Sequence, residues 1–230
     1  MKERGGGSAA GAPYGPDGTK RRRMKGERRR TLIAEAAVEV FAERGYDSVN
    51  MEDIASRAGV SRPVLYDHFA SKKELYLYLL HQQRDQVVAY VQGVSGKTPS
   101  LEGRIRAAID GFFAYVEAHP TTWRLLFSDL GGDQEIAPVQ DAIRREADLL
   151  MFQHLFGDGA ALKRLTPEQR HVLPHFWGSA CKGVARWWYQ HPEISRGTLV
   201  DTAMTAFWTG LQQMSRREVG SKQARRSGFR

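Results

Sequence analysis

Apolar side chains between Thr31 and Arg44 recur at intervals of three and four residues, a spacing that places them on one face of an α-helix. This stripe contains Ile33, Ala36, Ala37, Val40 and Phe41. Gly45 follows directly and can adopt the left-handed conformation that ends many helices. The pattern therefore predicts a first long helix that ends at Arg44.

A short second helix is predicted over residues 51–58. Asn50 stands where a helix N-cap is needed, and its side-chain oxygen can accept from the first backbone N–H groups. The carboxylates of Glu52 and Asp53 follow in the first turn, where the positive end of the helix dipole stabilises them. These signals fix where the helix begins.

A tight turn then leads into a third helix over about residues 62–69. Gly59 can take a positive φ, and Ser61 can cap the helix that follows. Pro63 falls in the first turn of that helix, where the missing N–H costs nothing. Two short helices joined by a glycine-containing turn form a helix-turn-helix, here at residues 51–69.

The remainder of the chain is predicted to be helices separated by glycine and proline turns, with no β-period alternation. Ser71 and Glu74 form a capping-box signature that starts a fourth helix. The predicted helices are 72–93, 101–118, 121–130, 135–156, 167–190 and 196–217. Pro174 lies inside one of them, so that helix either kinks there or begins later, near His175. The expected fold class is all-α, with about nine helices.

Composition excludes several classes of protein. The chain is 41% hydrophobic and 26% charged, and no window approaches the roughly 18 apolar residues of a membrane span. The N-terminus has no apolar region typical of a secretory signal, so we expect a cytoplasmic protein. Cys181 is the single cysteine, which excludes an intramolecular disulfide and any multi-cysteine metal cluster.

Positive charge is concentrated at the two ends of the sequence. The net charge is +8; residues 1–73 contain 15 Lys and Arg against 10 Asp and Glu, and residues 216–230 contain 6 against 1. Residues 74–215 are close to neutral, with 13 against 15. This distribution indicates that one end contacts a polyanion, although basic tails that only maintain solubility would look the same.

The helix-turn-helix lies in a stretch with a specific resemblance. Residues 36–75 are AAVEVFAERGYDSVNMEDIASRAGVSRPVLYDHFASKKEL. With its runs AGVS, LY, HF and SK, the segment of about residues 28–76 resembles the N-terminal domain of the TetR family of transcriptional regulators. That resemblance implies a three-helix DNA-binding domain followed by a larger helical domain for ligand binding and dimerisation.

Four regions follow from the pattern and the resemblance together. They are a disordered basic extension (1–26), a DNA-binding domain (27–74), a ligand-binding and dimerisation domain (75–218) and a basic flexible tail (219–230). Eight of the eleven residues from Lys20 to Arg30 are basic. This run is either an arm that enters the adjacent minor groove or a solubilising tail.

The resemblance implies a recognition helix at Ser61–His68, in the major groove, with Leu65 and Phe69 pointing inward. The predicted DNA-contacting residues are Ser48, Asn50, Ser61, Arg62, Pro63, Val64, Tyr66, Asp67, His68 and Lys72. Arg62 is the candidate for direct readout, because a guanidinium can bond bidentately to guanine. Ser48 and Asn50 match positions that abut the DNA backbone.

The other predicted contacts differ in kind. Pro63 and Val64 can contact a thymine methyl group, whereas Tyr66, His68 and Lys72 match positions that hold phosphates. Pro63 departs from the family pattern, since it lacks the N–H of the usual small residue.

Asp67 departs from the family pattern as well. It can accept a hydrogen bond from a cytosine amine, or it can face solvent and pair with Arg62 or Lys73.

The C-terminal half is rich in large aromatic residues, most of which are expected to be core. The resemblance implies a cavity for a small, largely apolar effector, with a candidate wall of Phe113, Trp123, Phe127, Phe152 and Trp177. It also implies that the last two long helices pair with a second copy. Small residues that would permit close approach there are Gly178, Ala180, Gly183, Ala203, Ala206 and Gly210.

The sequence therefore predicts a homodimeric, sequence-specific regulator, a repressor released from a palindromic DNA operator by its effector. No catalytic motif is present, and no cofactor, metal ligand or membrane partner is predicted. The alternatives are a metal-responsive regulator using His171, His175, Cys181 and His191, a redox-responsive regulator using Cys181, and a nonspecific DNA-binding protein.

Overall fold

The computed structural model describes residues 18–127, 136–157 and 165–227, which form nine α-helices and no strand. The helices are α1 (Gly18–Arg44), α2 (Met51–Ala58), α3 (Arg62–His68), α4 (Lys72–Ser95), α5 (Leu101–Ala118), α6 (Pro120–Phe127), α7 (Ala137–Phe156), α8 (Pro167–Tyr189) and α9 (Arg196–Ser227). The all-α prediction is confirmed. None of these helices is long and apolar enough to cross a membrane.

Two helices extend into segments that were expected to be disordered or flexible. α1 begins at Gly18 rather than Thr31, and α9 continues to Ser227, beyond the predicted end at residue 217. Arginine, lysine and glutamine have high helix propensity, and adding a residue to an existing helix is far easier than nucleating one. The periodic apolar pattern from which the two helices were predicted therefore covers less of the sequence than the helices themselves. The rest of the predicted extension, residues 1–17, lies outside the described residues.

α8 begins at Pro167 and runs through Pro174, so the alternative of a later start near His175 is wrong. Thr166 caps the helix by accepting from the backbone N–H of Gln169, whose side chain accepts from the N–H of Thr166 in return. This capping box fixes the start of the helix. Pro174 lies inside the helix and is buried there, although it cannot donate the backbone hydrogen bond that other interior residues donate.

The helices enclose two hydrophobic cores. The first lies among α1 to α4 and includes Phe41, Ile54, Leu65 and Phe69. The second lies among α4 to α9, with Trp123 contributed by α6. α4 belongs to both cores: Leu75, Tyr76, Leu79 and Leu80 face the first, whereas Val87, Val88 and Val91 face the second.

The first core is completed by residues from far along the chain. Leu125 of α6, Ile136, which precedes α7, and Ile143 of α7 are all buried in it. α6 also packs directly against α1. The first core therefore joins the N-terminal helices to the C-terminal body through α6 and α7 as well as through α4.

Candidate nucleic-acid interface and apolar cavity

The start of α2 is fixed by a reciprocal cap. Asn50 Oδ1 accepts from the backbone N–H groups of Glu52 at 3.0 Å and Asp53 at 2.9 Å, and the Asp53 carboxylate accepts from the Asn50 N–H at 3.2 Å. Gly59 ends the helix at φ +65° and ψ 32°, the left-handed conformation that a β-carbon disfavours. These local interactions fix the two ends of α2.

Ion pairs hold α2 against α1. The Arg57 guanidinium lies 2.9 Å from a carboxylate oxygen of Glu39 and 3.0 Å from one of Glu43. Its hydrogen bond holds the pKa of Glu43 below the usual value. All three groups are exposed, so these pairs orient the helices more than they stabilise them.

α3 carries six of the ten predicted contact residues, all within Arg62–His68. Leu65 and Phe69 are fully buried, as expected. Seven of the predicted residues are exposed: Ser48, Asn50, Ser61, Arg62, Pro63, Tyr66 and Asp67. Val64, His68 and Lys72 are half-buried. Ser61 occupies the N-cap position of α3, but its hydroxyl makes no capping hydrogen bond.

Arg62 is held only loosely in the structure. Its guanidinium lies 3.8 Å from a carboxylate oxygen of Glu52 and 5.6 Å from the centroid of the Tyr66 ring. Both partners of the ion pair are more than half exposed, and such pairs contribute about 0 to 1 kcal/mol. A guanine base can therefore replace Glu52 as the partner at little energetic cost.

Lys72 is engaged within the protein. Its ammonium donates to the backbone carbonyls of Tyr46 and Val49, both at 2.9 Å, with that of Asp47 at 3.5 Å. It also lies 4.3 Å from the centroid of the Tyr46 ring. An ammonium has three N–H donors, so a direct phosphate contact by Nζ requires it to give up one of these carbonyls.

Comparison with known proteins agrees with this architecture. The family model described as "Bacterial regulatory proteins, tetR family" matches residues 33–79. A second, described as "Tetracyclin repressor-like, C-terminal domain", matches residues 101–210. The chain belongs to the TetR family.

Two curated HTH-type transcriptional regulators are similar to part of the chain. The transcriptional activator FasR of Mycolicibacterium smegmatis is 43% identical over 116 residues, 50% of this chain and 53% of FasR. The transcriptional repressor KstR2 of Mycobacterium tuberculosis is 34% identical over 91 residues, 40% of this chain and 46% of KstR2. The chain thus spans about half the length of the curated relatives it matches.

Solved structures match over a larger part of the chain. A TetR-like transcriptional regulator from Rhodococcus sp. RHA1 superposes with a TM-score of 0.63 at 25% identity, covering 80% of this chain and 96% of its own. The fatty acid degradation regulator FadR from Bacillus halodurans has a TM-score of 0.65 at 16% identity and covers 77% and 93%. The second similarity concerns the fold alone.

A cavity of about 80 Å³ lies between α4, α5, α7 and α8. Most of the residues in its wall are apolar, among them Val87, Val91, Ile109, Phe112, Met151 and Trp177. Of the five residues predicted for the effector site, Trp177 lines this cavity and Phe113 lines an adjacent groove described below.

The remaining predicted wall residues are placed differently. Trp123 packs edge-on against Phe112, with ring centroids 5.7 Å apart, and Phe152 packs against Phe156 at 4.5 Å. Neither Trp123 nor Phe152 lines the cavity or the groove, because these aromatic contacts fill the second core instead. The side chain of Phe127 lies outside the described residues.

The charged residues of the cavity wall are not among those predicted from the sequence. Lys182 Nζ lies 2.8 Å and 3.1 Å from the two carboxylate oxygens of Asp148, and both side chains are mostly buried. Burial raises the pKa of Asp148, although the nearby Lys182 opposes the shift. Gly178 is buried beside this pair, and a β-carbon there would lie 1.9 Å from Asp148 Oδ1. Its small size therefore accommodates α7, which corrects the expectation that it faces a second copy.

A groove of about 500 Å³ runs along α8 and α9 and is lined mainly by apolar side chains, among them Phe176, Trp177, Val184, Trp187, Leu199 and Phe207. Phe176 is 63% exposed and Trp187 is 45% exposed, unusually high for large apolar residues. Among the small residues expected on this face, Ala180, Gly183 and Ala206 are exposed. We call this surface the α8–α9 face.

Proposed function

We propose that this TetR-family chain is a sequence-specific, DNA-binding transcriptional regulator. The observation that carries the proposal is the exposed surface of α3. Arg62 and Tyr66 lie one turn apart on α3 and are exposed, whereas Leu65 of the same short helix is fully buried. Donors exposed on a fixed helix are what base readout in the major groove requires. The regulator acts in the cytoplasm, where bacterial DNA lies.

We propose further that the regulator is a homodimer formed through the α8–α9 face. Exposed aromatic residues and small residues are side by side on this face, an arrangement suited to close packing of helices. A twofold dimer presents two copies of α3, so the expected DNA operator is palindromic.

The proposed effector is a small, largely apolar molecule that enters the cavity. The cavity holds about 80 Å³, whereas pockets for drug-sized ligands are typically about 300 to 1,000 Å³. Such a ligand must therefore displace the walls. α4 forms one wall and begins directly after α3, and Ile143 lines the cavity while belonging to the first core. A coupling of about 1 to 3 kcal/mol between the two sites is typical.

The direction of regulation remains a prediction. FasR is named an activator and KstR2 a repressor, so both modes occur among relatives of this chain. The sequence-based expectation is release from the operator by the effector, that is, repression.

The DNA-reading role is tested by selecting duplexes from a random pool and then substituting α3. Arg62→Ala is expected to lose about 1 to 3 kcal/mol of preference at one base pair, because a bidentate contact to guanine disappears. Tyr66→Phe is the matched control, since it removes one hydroxyl at a predicted phosphate contact. It should weaken binding to selected and scrambled duplexes equally.

Fluorescence anisotropy at about 150 mM salt measures both effects. Equal losses for the two variants on every duplex contradict this division of roles. If the wild-type protein yields no sequence motif and releases all duplexes together as salt rises, the protein binds DNA nonspecifically.

The metal and redox alternatives have less support. No group of three or more potential ligand residues suited to a metal ion occurs in the described ranges 18–127, 136–157 and 165–227. Cys181 lines both the cavity and the groove, yet burial raises the pKa of its thiol to about 12, with the charge of Asp148 adding to the shift. Redox sensing uses thiolates, whose formation this environment suppresses.

Cys181 is accordingly expected to resist alkylation. At pH 7.5 a thiol with that pKa is ionised to roughly 1 part in 30,000, against about 1 in 10 for an unperturbed cysteine. Iodoacetamide labelling of the native protein, followed by mass spectrometry, should be at least about 100-fold slower than labelling of the protein unfolded in guanidinium. Comparable rates in the two states would restore the redox alternative.

A further inference from the structure

A single cation connects α1 to the end of α3. The Arg30 guanidinium carbon lies 4.4 Å from the centroid of the Phe69 ring and 4.5 Å from that of Tyr78. Arg30 Nη1 also donates to the backbone carbonyl of His68 at 3.3 Å. The side chain thus joins three helices, since it extends from α1, contacts the end of α3 and stacks on a ring of α4.

The chemistry of this contact favours arginine. The two rings are tilted by 55° with centroids 5.3 Å apart, so they provide two aromatic surfaces for one cation. A guanidinium is planar and weakly hydrated, and it can stack on a ring while one of its N–H groups donates in the plane. A lysine ammonium keeps the charge but cannot stack, and it is desolvated at greater cost.

α3 has few other anchors. It is seven residues long, and Leu65 is its one buried residue. The carbonyl of His68 belongs to the last turn, where backbone oxygens have no partner within the helix and where the helix dipole favours a cation. Arg30 supplies both the donor and the charge, and it contacts Phe69, which is fully buried at the C-cap.

We propose that Arg30 is a positioning residue for operator recognition, a role that rests on the proposed function. It fixes the C-terminal end of α3 and thereby the direction in which the opposite end, with Arg62, meets the base pairs. The two ends of α3 are about 9 Å apart at 1.5 Å per residue, so a tilt of about 10° displaces Arg62 by about 1.5 Å. A bidentate contact to guanine does not tolerate such a displacement.

The test compares three variants of the 230-residue chain. Arg30→Met removes the cation and keeps an apolar stem, whereas Arg30→Lys keeps the charge without the planar group. Arg29→Met is the matched control, because Arg29 is the exposed neighbour on α1 and its replacement removes the same charge from the basic run. Any loss of attraction to the DNA backbone that results should weaken binding to both duplexes alike. Binding to the selected duplex and to scrambled duplex is measured at about 150 mM salt, at a temperature where circular dichroism shows every variant folded.

Arg30→Met is expected to lower the preference for the selected duplex over scrambled DNA about tenfold, while binding to scrambled DNA changes less than about twofold. Arg30→Lys should remain at least threefold below the wild type in this preference, and Arg29→Met should retain it. A merely structural role predicts an unchanged preference in every folded variant. That result overturns the proposal.

A measurement without DNA separates this inference from the proposed function. The backbone N–H of Phe69 donates to the carbonyl of Leu65 at 3.0 Å, and that of Val60 donates to Ala55 at 3.0 Å. Hydrogen exchange in Arg30→Met should accelerate at least about tenfold at Phe69 and remain unchanged at Val60. If the wild type shows no sequence preference, the proposed function fails. If exchange in Arg30→Met accelerates equally at Phe69 and Val60, or at neither residue, Arg30 does not anchor α3.

Discussion

Replacing Phe176 and Trp187 together by glutamate is expected to yield a folded monomer that binds a palindromic operator at least about 100-fold more weakly than the wild type. Both side chains are on the α8–α9 face and are exposed in the single chain, so their replacement disturbs little of its core. In a dimer, four carboxylates would have to be buried at the interface without partners. Two copies of α3 would then no longer bind one duplex as a unit.

Sedimentation velocity at micromolar concentrations measures the assembly state, and anisotropy measures the DNA affinity. Leu149→Glu combined with Leu150→Glu is the matched control, because both residues are exposed apolar side chains on α7. The control should remain dimeric. A wild-type protein that sediments as a monomer, or a Phe176 and Trp187 double variant that stays dimeric, contradicts the assignment of this face.

Lys182→Met is expected to destabilise the protein by about 3 kcal/mol at neutral pH, because it leaves the carboxylate of Asp148 buried without its counterion. In the wild type that carboxylate is 11% exposed, with the ammonium at 2.8 Å. For a protein of this size the loss corresponds to a decrease in Tm of roughly 6 to 12 °C. Differential scanning calorimetry of the apo protein measures it directly.

The loss of stability in Lys182→Met should depend on pH in a defined direction. Burial raises the pKa of Asp148 in the folded state, and removal of Lys182 raises it further. A group whose folded pKa lies above its unfolded value binds more protons in the folded state, so stability falls as pH rises through the interval between the two values. The destabilisation by Lys182→Met is therefore largest above the raised pKa of Asp148. It disappears as pH falls towards about 3.9, the pKa of an aspartate in the unfolded chain.

A double variant provides the control. Asp148→Asn combined with Lys182→Met removes both charges at nearly constant volume and should recover most of the lost stability. If Lys182→Met melts within about 1 °C of the wild type at pH 7, the carboxylate is hydrated and the pair contributes little.

The helix-turn-helix was predictable because its signals are local. The Asn50 cap and the Gly59 turn act over two to five residues, and the sequence shows both partners of each interaction together. The contacts of Lys72 are of another kind, since its acceptors Tyr46 and Val49 precede it by 26 and 23 residues. A pattern of residue types does not reveal that a lysine is committed to distant backbone carbonyls.

The cavity was less predictable for the same reason. Aromatic residues fill the second core as readily as they line a cavity, and Trp123 and Phe152 do the former. The charged pair of Asp148 and Lys182 joins α7 to α8 across 34 residues. The one signal of this pair in the sequence is Lys182 itself, a lysine among apolar and small residues on α8. The structure adds that the nearby Gly178 leaves space for the carboxylate of Asp148.

The shared first core has a consequence for protein engineering. Leu125, Ile136 and Ile143 are buried among the helices that carry the DNA-reading surface. A fragment cut at the end of α4 would lose these side chains and expose the apolar surface they cover. No single cut in the sequence therefore separates the DNA-binding helices from the C-terminal body. A hybrid regulator that joins these DNA-binding helices to a ligand-binding domain from another protein needs residues in that domain that replace Leu125, Ile136 and Ile143 in the first core.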